Sequence, residues 1–203
     1  MTLSTLLTDE PLLRPEQGER FVDQLWSEQS EGFAACAFGR EPYYDDHGKF
    51  SHRRWEEKQY RWPGERSRLL TDALGIATHG GDSYVCPLLM SEPRRRQEHA
   101  LPGRFAWADI DGELGDRQAK LIARLVRGDS FLVSSGRGVH VYVALDQLQP
   151  AGIIEATNYR LKTALAGDHK HAANSLLRLP GTVNTKPVPG GGEALRVEVL
   201  MRG

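Results

Sequence analysis

Apolar and polar residues alternate over residues 139–145, where valine occupies every second position from 139 to 143. An alternation of period two is typical of a half-buried β-strand. A second apolar run covers residues 131–133, and Gly136 and Gly138 lie between the two runs. Two such runs joined by a short glycine-containing turn predict a β-hairpin.

The rest of the chain mixes helical and extended patterns. Apolar residues at helical spacing predict helices over residues 16–29, 65–74, 117–126 and 150–165. Short apolar or alternating runs predict strands over residues 32–39, 83–89, 105–111 and 195–200. Polar or Gly/Pro-rich stretches predict loops over residues 41–50, 92–103 and 187–192. This mixture indicates an α+β fold.

The predicted strand at residues 105–111 ends in two carboxylates one residue apart, Asp109 and Asp111. Successive side chains on a strand point to opposite faces, so the two acids share a face while Ile110 points to the core. Carboxylates held side by side repel each other unless a positive group lies between them. The pair therefore indicates a site for Mg²⁺ or Mn²⁺, although two solvated acids at a strand end would give the same pattern.

The turn of the predicted hairpin carries residues that suit an anion. Ser135, Arg137 and His140 lie in or beside this turn. Exposed backbone N–H groups, a hydroxyl, a guanidinium and an imidazole together suit a phosphate. Ordinary turn chemistry and a half-buried histidine would explain the same residues.

A third segment, residues 178–186, reads Arg-Leu-Pro-Gly-Thr-Val-Asn-Thr-Lys. It groups Arg178, Asn184 and Lys186 around a Pro-Gly turn. Such a turn can present hydrogen-bond donors to an anionic ligand. An ordinary surface turn fits the pattern equally well.

The order of the three segments, Asp109–Asp111, residues 135–140 and residues 178–186, resembles the motifs of the archaeo-eukaryotic primase superfamily. Within it, the chain is most similar to the primase-polymerases of plasmids, phages and other mobile elements, over residues 83–198. Three ordered motifs are more specific than any one alone.

The resemblance implies a fold and a division of the chain. Residues 83–203 would form a catalytic part, with an RNA-recognition-like antiparallel sheet and packed helices. Residues 1–82 would form a smaller N-terminal α/β part. Together the two parts would make one primase-polymerase domain.

The resemblance also implies a role for each motif. Asp109 and Asp111 would hold the catalytic Mg²⁺ or Mn²⁺ ions. The residues that would bind the incoming nucleotide are Ser135, Arg137, His140, Arg178, Asn184 and Lys186.

The family usually has a third metal-binding carboxylate before the Arg-x-Pro-Gly motif, and the candidate here is Asp168. Many relatives carry a second acid nearer the arginine, where this chain has Ala172, Ala173 and Asn174. Three alternatives stay open: Asp168 is the third ligand, the ligand is missing, or Asn174 acts as a weaker neutral ligand.

The implied activity is template-directed nucleotidyl transfer by a two-metal mechanism, as primer synthesis or DNA polymerisation. The expected partners are a single-stranded DNA template and nucleoside triphosphates. A helicase domain or protein would join them if the chain is a fragment of a longer replication protein. Two other functions stay open: a catalytically weak or inactive nucleic-acid-binding relative, and a strand-nicking replication initiator that would use His169, His171 and Tyr159.

Charge is nearly balanced, with 26 Lys and Arg against 27 Asp and Glu, so binding of nucleic acid would need a local basic track. One candidate is Arg94–Arg96 with Arg104. The other is residues 52–68, where tryptophan and tyrosine residues interleave with cations. Aromatic residues among cations suit single-stranded nucleic acid, and a solvated helix face with buried aromatics is the alternative.

Two cysteines, Cys36 and Cys86, lie in apolar contexts, so we expect buried free thiols and no cysteine-rich zinc site. The N-terminus has no signal-peptide pattern, and no apolar run approaches about 18 residues. We therefore expect a cytoplasmic protein without membrane contact.

Overall fold

The computed structural model describes residues 12–186 and 193–202, and the predicted loop at residues 187–192 lies outside this part of the chain. The helices are α1 (Pro15–Leu25), α2 (Arg66–Thr78), α3 (Asp116–Leu125) and α4 (Ala151–Leu165), with a 3₁₀ turn at Gln97–His99. The strands are β1 (Gly32–Tyr44), β2 (Phe50–Trp62), β3 (Asp82–Val85), β4 (Gly103–Asp111), β5 (Phe131–Ser134), β6 (Gly138–Gln149), β7 (Leu177–Arg178), β8 (Val183–Asn184), β9 (Leu195–Arg196) and β10 (Glu198–Arg202).

The strands form two four-stranded antiparallel sheets, which confirms the predicted α+β fold. The first sheet has the order β2-β1-β3-β7 and the second has the order β10-β5-β6-β4, while β8 and β9 pair separately. The predicted hairpin is β5 and β6. Strand β3 pairs with β1 in the first sheet, so the strands of the second sheet begin with β4. The predicted division of the chain between residues 82 and 83 stays a prediction.

The largest difference from the sequence-based expectation lies in the β1–β2 hairpin. The pattern predicts a strand at residues 32–39 followed by a polar loop, but β1 continues to Tyr44 and pairs along its whole length with β2. Of the 13 residues of β2, 11 are at least partly exposed and six are charged, and among its large apolar residues Tyr60 and Trp62 are buried. A strand that buries so little lacks a clear period-two pattern. The alternative of a solvated helix face for this segment is wrong.

Helix α1 connects the cores of the two sheets. Phe21 packs edge-on against Phe131 and Tyr142, with ring centroids 5.8 and 5.5 Å away, and those two rings stack on each other at 4.6 Å. The same apolar cluster includes Phe38 of the first sheet and Trp107 of the second. One continuous core therefore fixes one sheet relative to the other.

Strand β4 is buried on both faces. Ala108 and Ile110 pack in a second apolar cluster with Ile122 of α3 and Leu165 of α4. Trp107 points to the opposite face and into the core shared by both sheets. Because side chains alternate along a strand, Asp109 also lies on the face towards the shared core, at the end of β4.

Two simpler expectations can be compared with the structure. Cys36 and Cys86 are buried free thiols, as predicted. Within residues 12–186 and 193–202, no helix combines the length and apolar character that crossing a membrane requires.

A buried carboxylate, Asp82, joins three strands and a loop. It accepts hydrogen bonds from Nε2 of His52 on β2 (2.6 Å), from the backbone N–H of Thr185 (2.8 Å), from the Thr185 hydroxyl (2.5 Å) and from Nη1 of Arg178 on β7. Burial alone would raise the pKa of Asp82, but the His52 hydrogen bond, the charge of Arg178 and the Thr185 hydrogen bonds outweigh it and lower the pKa. Asp82 is therefore a charged group in the interior whose partners come from distant parts of the chain.

We expect Asp82→Asn to lower the free energy of unfolding by about 3–5 kcal/mol, because it leaves the buried guanidinium of Arg178 without its counter-charge. Asp72→Asn is the matched control. Asp72 also accepts hydrogen bonds, from Tyr60 and Lys58, but its side chain is 30% exposed. The control should lower the free energy of unfolding by about 1 kcal/mol or less. Urea unfolding at pH 7 measures both variants, and equal losses would contradict a special role for Asp82.

Candidate active site

All nine residues that the sequence predicts for the site line a single cavity of about 400 Å³. They come from the three motifs and from the loop after α4, which carries Asp168: Asp109, Asp111, Ser135, Arg137, His140, Asp168, Arg178, Asn184 and Lys186. The cavity lies where the end of β4 meets the start of β6 and the segment that follows β7. The fold therefore brings the three motifs together.

Asp109 and His140 face each other across two paired strands. The antiparallel register of β4 and β6 sets them directly opposite, with Asp111 opposite Gly138. Nε2 of His140 lies 3.4 Å from Oδ1 of Asp109, and both side chains are largely buried. The Nδ1 atom of His140 and the Oδ1 atom of Asp109 are buried without a hydrogen-bond partner among the described residues.

Burial and charge favour the neutral form of both groups. Burial, and then the negative charges of Asp111 and Asp168, raise the pKa of Asp109 to about 7. Burial, and then the positive charges of Arg178 and Lys170, lower the pKa of His140 to about 3. Two buried titratable groups with displaced pKa values in one cavity are typical of functional sites.

The glycine turn between β5 and β6 packs tightly on the end of β4. A Cβ atom on Gly138 would lie 2.0 Å from the carbonyl oxygen of Ile110, so only glycine fits there. Nδ2 of Asn184 donates a hydrogen bond to the carbonyl oxygen of Ser135 (2.7 Å) and so ties the third motif to this turn. Nε and Nη2 of Arg137 are buried without a partner among the described residues. These free donors are available for a ligand.

Asp168 reaches the cavity because the chain passes close to β4 after α4. Helix α4 ends with Ala166 in the left-handed region, and the backbone N–H of Asp168 donates to the carbonyl oxygen of Asp109 (2.7 Å). A Cβ atom on Gly167 would lie 2.5 Å from that oxygen, which explains the glycine. Asn174, the alternative third ligand, is not among the cavity-lining residues, and its carbonyl oxygen accepts a hydrogen bond from Arg95.

The loop that carries Asp168 is held by residues that sequence reasoning missed. Asn158 on α4 accepts a hydrogen bond from the backbone N–H of Trp107 (2.7 Å) and donates to the carbonyl oxygen of His171 (3.2 Å). The indole of Trp107 donates to the carbonyl oxygen of Lys170 (2.6 Å). A buried asparagine in a predicted helix was the available signal, since buried polar side chains need partners.

Six further residues line the cavity and were not predicted: Lys49, Phe50, Tyr84, Lys170, Leu176 and Leu177. Tyr84 lies beneath Arg178, whose guanidinium carbon is 4.8 Å from the ring centroid. Lys49 and Phe50 come from the end of the β1–β2 hairpin. The sequence predicts a loop for both residues, so the hairpin that brings them to the cavity was missed.

The donor set suits a divalent cation, although no ligand set is preassembled. Asp109, Asp111 and Asp168 offer hard carboxylate oxygens, the atoms that Mg²⁺ and Mn²⁺ prefer. The buried, unpartnered Oδ1 atom of Asp109 fits a cation that supplies its missing partner. Among the residues that the structure describes, no three His, Cys, Asp or Glu side chains lie close enough to form a metal site as they stand.

The strand-nicking alternative does not match the local structure. His169 and His171 lie in the loop between α4 and β7, whereas that reaction would need paired histidines on a strand. Their rings are 6.4 Å apart, and Tyr159 of α4 contacts His171.

The basic cluster at residues 52–68 is largely engaged in ion pairs. Lys58 pairs with Asp72, Arg66 with Asp23 and Arg68 with Glu65. These cations are therefore less available to phosphates than the sequence suggests.

Comparison of the sequence finds no matching family model and no matching curated protein. Comparison of the structure finds clear neighbours. The primase-polymerase AEP domain of cyanophage S-2L matches with a TM-score of 0.59 and 15% identity, over 92% of this chain and 90% of that domain. The catalytic domain of primase RepB′ in complex with initiator DNA matches with a TM-score of 0.56 and 12% identity, over 92% of this chain and 85% of that chain.

A further structure of primase RepB′ matches with a TM-score of 0.55 and 10% identity, over 91% of this chain and 56% of that chain. Identities this low establish the fold alone. They confirm the fold that the resemblance implies: this chain has the archaeo-eukaryotic primase fold seen in these primase-polymerase and primase domains.

Proposed function

We propose that this chain is a DNA primase-polymerase, which joins nucleotides on a single-stranded DNA template. The observation that carries the proposal is the shared cavity, in which three carboxylates and six residues suited to phosphate meet. The fold supports the same class of activity, since its neighbours are a phage primase-polymerase domain and a primase domain solved with initiator DNA.

Asp109, Asp111 and Asp168 would hold divalent cations, Mg²⁺ or Mn²⁺. When bound, such ions lower the pKa of the attacking 3′-hydroxyl and neutralise charge on the leaving pyrophosphate. The reaction needs no covalent intermediate on the protein. The side chains of this chain therefore act by positioning the substrates and by electrostatic stabilisation.

The phosphate-binding residues divide into charged and neutral donors. Arg137 has buried N–H groups without a partner, and with Lys186 it supplies positive charge to the triphosphate. His140 is neutral at pH 7, because its pKa is lowered to about 3, so it contributes a hydrogen bond and no charge. Arg178 shares its charge with Asp82 and contributes mainly its remaining donors.

A catalytically weak nucleic-acid-binding relative is the second candidate. The observation in its favour is that no metal-ligand set is preassembled in the described residues. The deciding experiment is primer-free synthesis on random single-stranded DNA, with ribo- or deoxyribonucleotides and with Mg²⁺ or Mn²⁺. We expect labelled products that require metal. Intact DNA binding without product under any combination would favour the second candidate.

We expect the double variant Asp109→Ala, Asp111→Ala to lose nucleotide incorporation by about a thousandfold or more, because both cations lose their strand-borne ligands. The control is Asp116→Ala, an exposed acid at the start of α3. Incorporation of labelled nucleotide on a primed single-stranded template measures both. Near-normal synthesis by the double variant would refute the proposed metal site.

Asp109→Asn should stabilise the metal-free protein in a pH-dependent way. The folded pKa of about 7 lies above the unfolded value of 3.8, so the ionised carboxylate costs stability. This cost is absent below pH 3.8, grows as the pH rises to 7 and is constant above. Thermal unfolding in EDTA should give the variant an advantage of about 2–4 kcal/mol at pH 8 and none near pH 3.5. A stability advantage that does not vary with pH would contradict the raised pKa of Asp109.

Asp168→Asn tests the third carboxylate. With two acids left, more cation charge is uncompensated, so the Mg²⁺ concentration for half-maximal activity should rise and incorporation should fall by about 10- to 100-fold. Glu113→Gln, an exposed acid in the loop after β4, is the control and should be silent. A silent Asp168→Asn with strong Mg²⁺-driven synthesis would mean that the third ligand lies elsewhere.

A further inference from the structure

A series of aromatic rings runs along the β1–β2 hairpin to the cavity. Successive centroids are 5.8 Å apart from Tyr44 to Phe50, 4.9 Å from Phe50 to His52, 5.8 Å from His52 to Trp55 and 5.4 Å from Trp55 to Tyr84. Phe50 and Tyr84 also line the cavity. We call these five residues the hairpin ring series. It is continuous with the proposed active site.

Trp55 is the more exposed of the two exposed members of the series, Tyr44 and Trp55. Its side chain is 49% exposed, whereas Trp26, Trp62 and Trp107 are buried in the core. The ring planes of His52 and Tyr84 are tilted from that of Trp55 by 40° and 45°, so neither neighbour stacks flat against the indole. A large aromatic surface that the core does not use is therefore available to a flat ligand.

Cations flank the series. Lys49 lines the cavity beside Phe50, and Arg53 lies over the ring of Tyr43 at 5.1 Å. Neither has a carboxylate within ion-pair distance among the described residues. Arg54, by contrast, pairs with Glu41 on the same hairpin. Unpaired cations beside a series of aromatic rings match a ligand that carries both phosphates and bases.

We propose that the hairpin ring series binds unpaired bases of the template strand as it leads into the cavity. Trp55 would stack on a base, while Lys49 and Arg53 would contact the adjacent phosphates. The inference rests on the proposed function for its ligand, single-stranded DNA. It adds a binding surface outside the three sequence motifs. Every nucleobase has a flat face, so this surface would bind DNA with little sequence preference.

Intrinsic fluorescence gives a direct test, because Trp55 is the exposed one of the four tryptophans. Stacked bases quench indole emission. Titration with an unlabelled oligo-dT of 15 nucleotides should quench the tryptophan emission of the wild type. Trp55→Phe should bind DNA but lose the quenching. Equal quenching in wild type and Trp55→Phe would overturn the proposal, as would equal quenching by a fully paired duplex.

Binding of the variants gives a second readout. Trp55→Ala should weaken binding of fluorescein-labelled oligo-dT by about tenfold, and Trp55→Phe should restore most of the affinity, because an aromatic face is what binds. Tyr159→Ala is the matched control. Tyr159 is an aromatic residue 55% exposed with Lys162 over its ring, but it lies on α4 and does not line the cavity. Equal losses for Trp55→Ala and Tyr159→Ala would overturn the proposal.

The proposed hairpin surface and the proposed polymerase activity can fail independently of each other. If the wild type synthesises DNA but Trp55→Ala binds the template normally, the hairpin surface is wrong and the enzyme stands. If oligo-dT quenches Trp55 and Trp55→Ala binds weakly, but no variant incorporates nucleotide, the surface stands and the polymerase proposal fails.

Discussion

The buried carboxylate of Asp82 is the constraint on which the rest of the cavity depends. Through Arg178 and Thr185 it fixes both ends of the third motif against the first sheet. Asn184, within the same motif, binds the turn of the second sheet at Ser135. The segment at residues 178–186 thus bridges the two sheets by polar contacts, while α1 joins them by apolar ones. Three residues of this segment, Arg178, Asn184 and Lys186, line the cavity.

The charged and polar groups in the cavity lower the stability of the fold. Asp109 is held near two other carboxylates on a buried strand end, where the neutral form is favoured. Arg137 keeps donors without partners in a place where unsatisfied polar atoms are expensive. Buried polar and charged groups without a partner are common at functional sites, because a bound ligand supplies the missing partner. The well-satisfied Asp82 supplies the contrasting case of a charge with a structural role.

Local pattern was sufficient where the site is built from neighbouring residues. The alternation along β4 and β6 predicted which face carries Asp109 and His140, because strand geometry alone decides it. It could not reveal Asp82, whose partners Arg178 and Thr185 are 96 and 103 residues away. Strand β2 escaped detection for a related reason, since its stability comes from pairing with β1 and little from burial of its own side chains. The hydrophobic periodicity of a sequence does not encode contacts between distant segments.

The last strand of each four-stranded sheet lies late in the chain, and this affects the order in which the molecule folds. Strand β7 completes the first sheet beside β3, and β10 completes the second beside β5, so the last part of the described chain pairs with much earlier segments. During synthesis on the ribosome, both sheets would stay incomplete until residues beyond 177 had emerged. In a nascent chain, Asp109 on β4 and His140 on β6 would be paired before residues 178–186, which also line the cavity, are in place. Native pairing over such long sequence separations slows folding, so the competent cavity is among the last features to form.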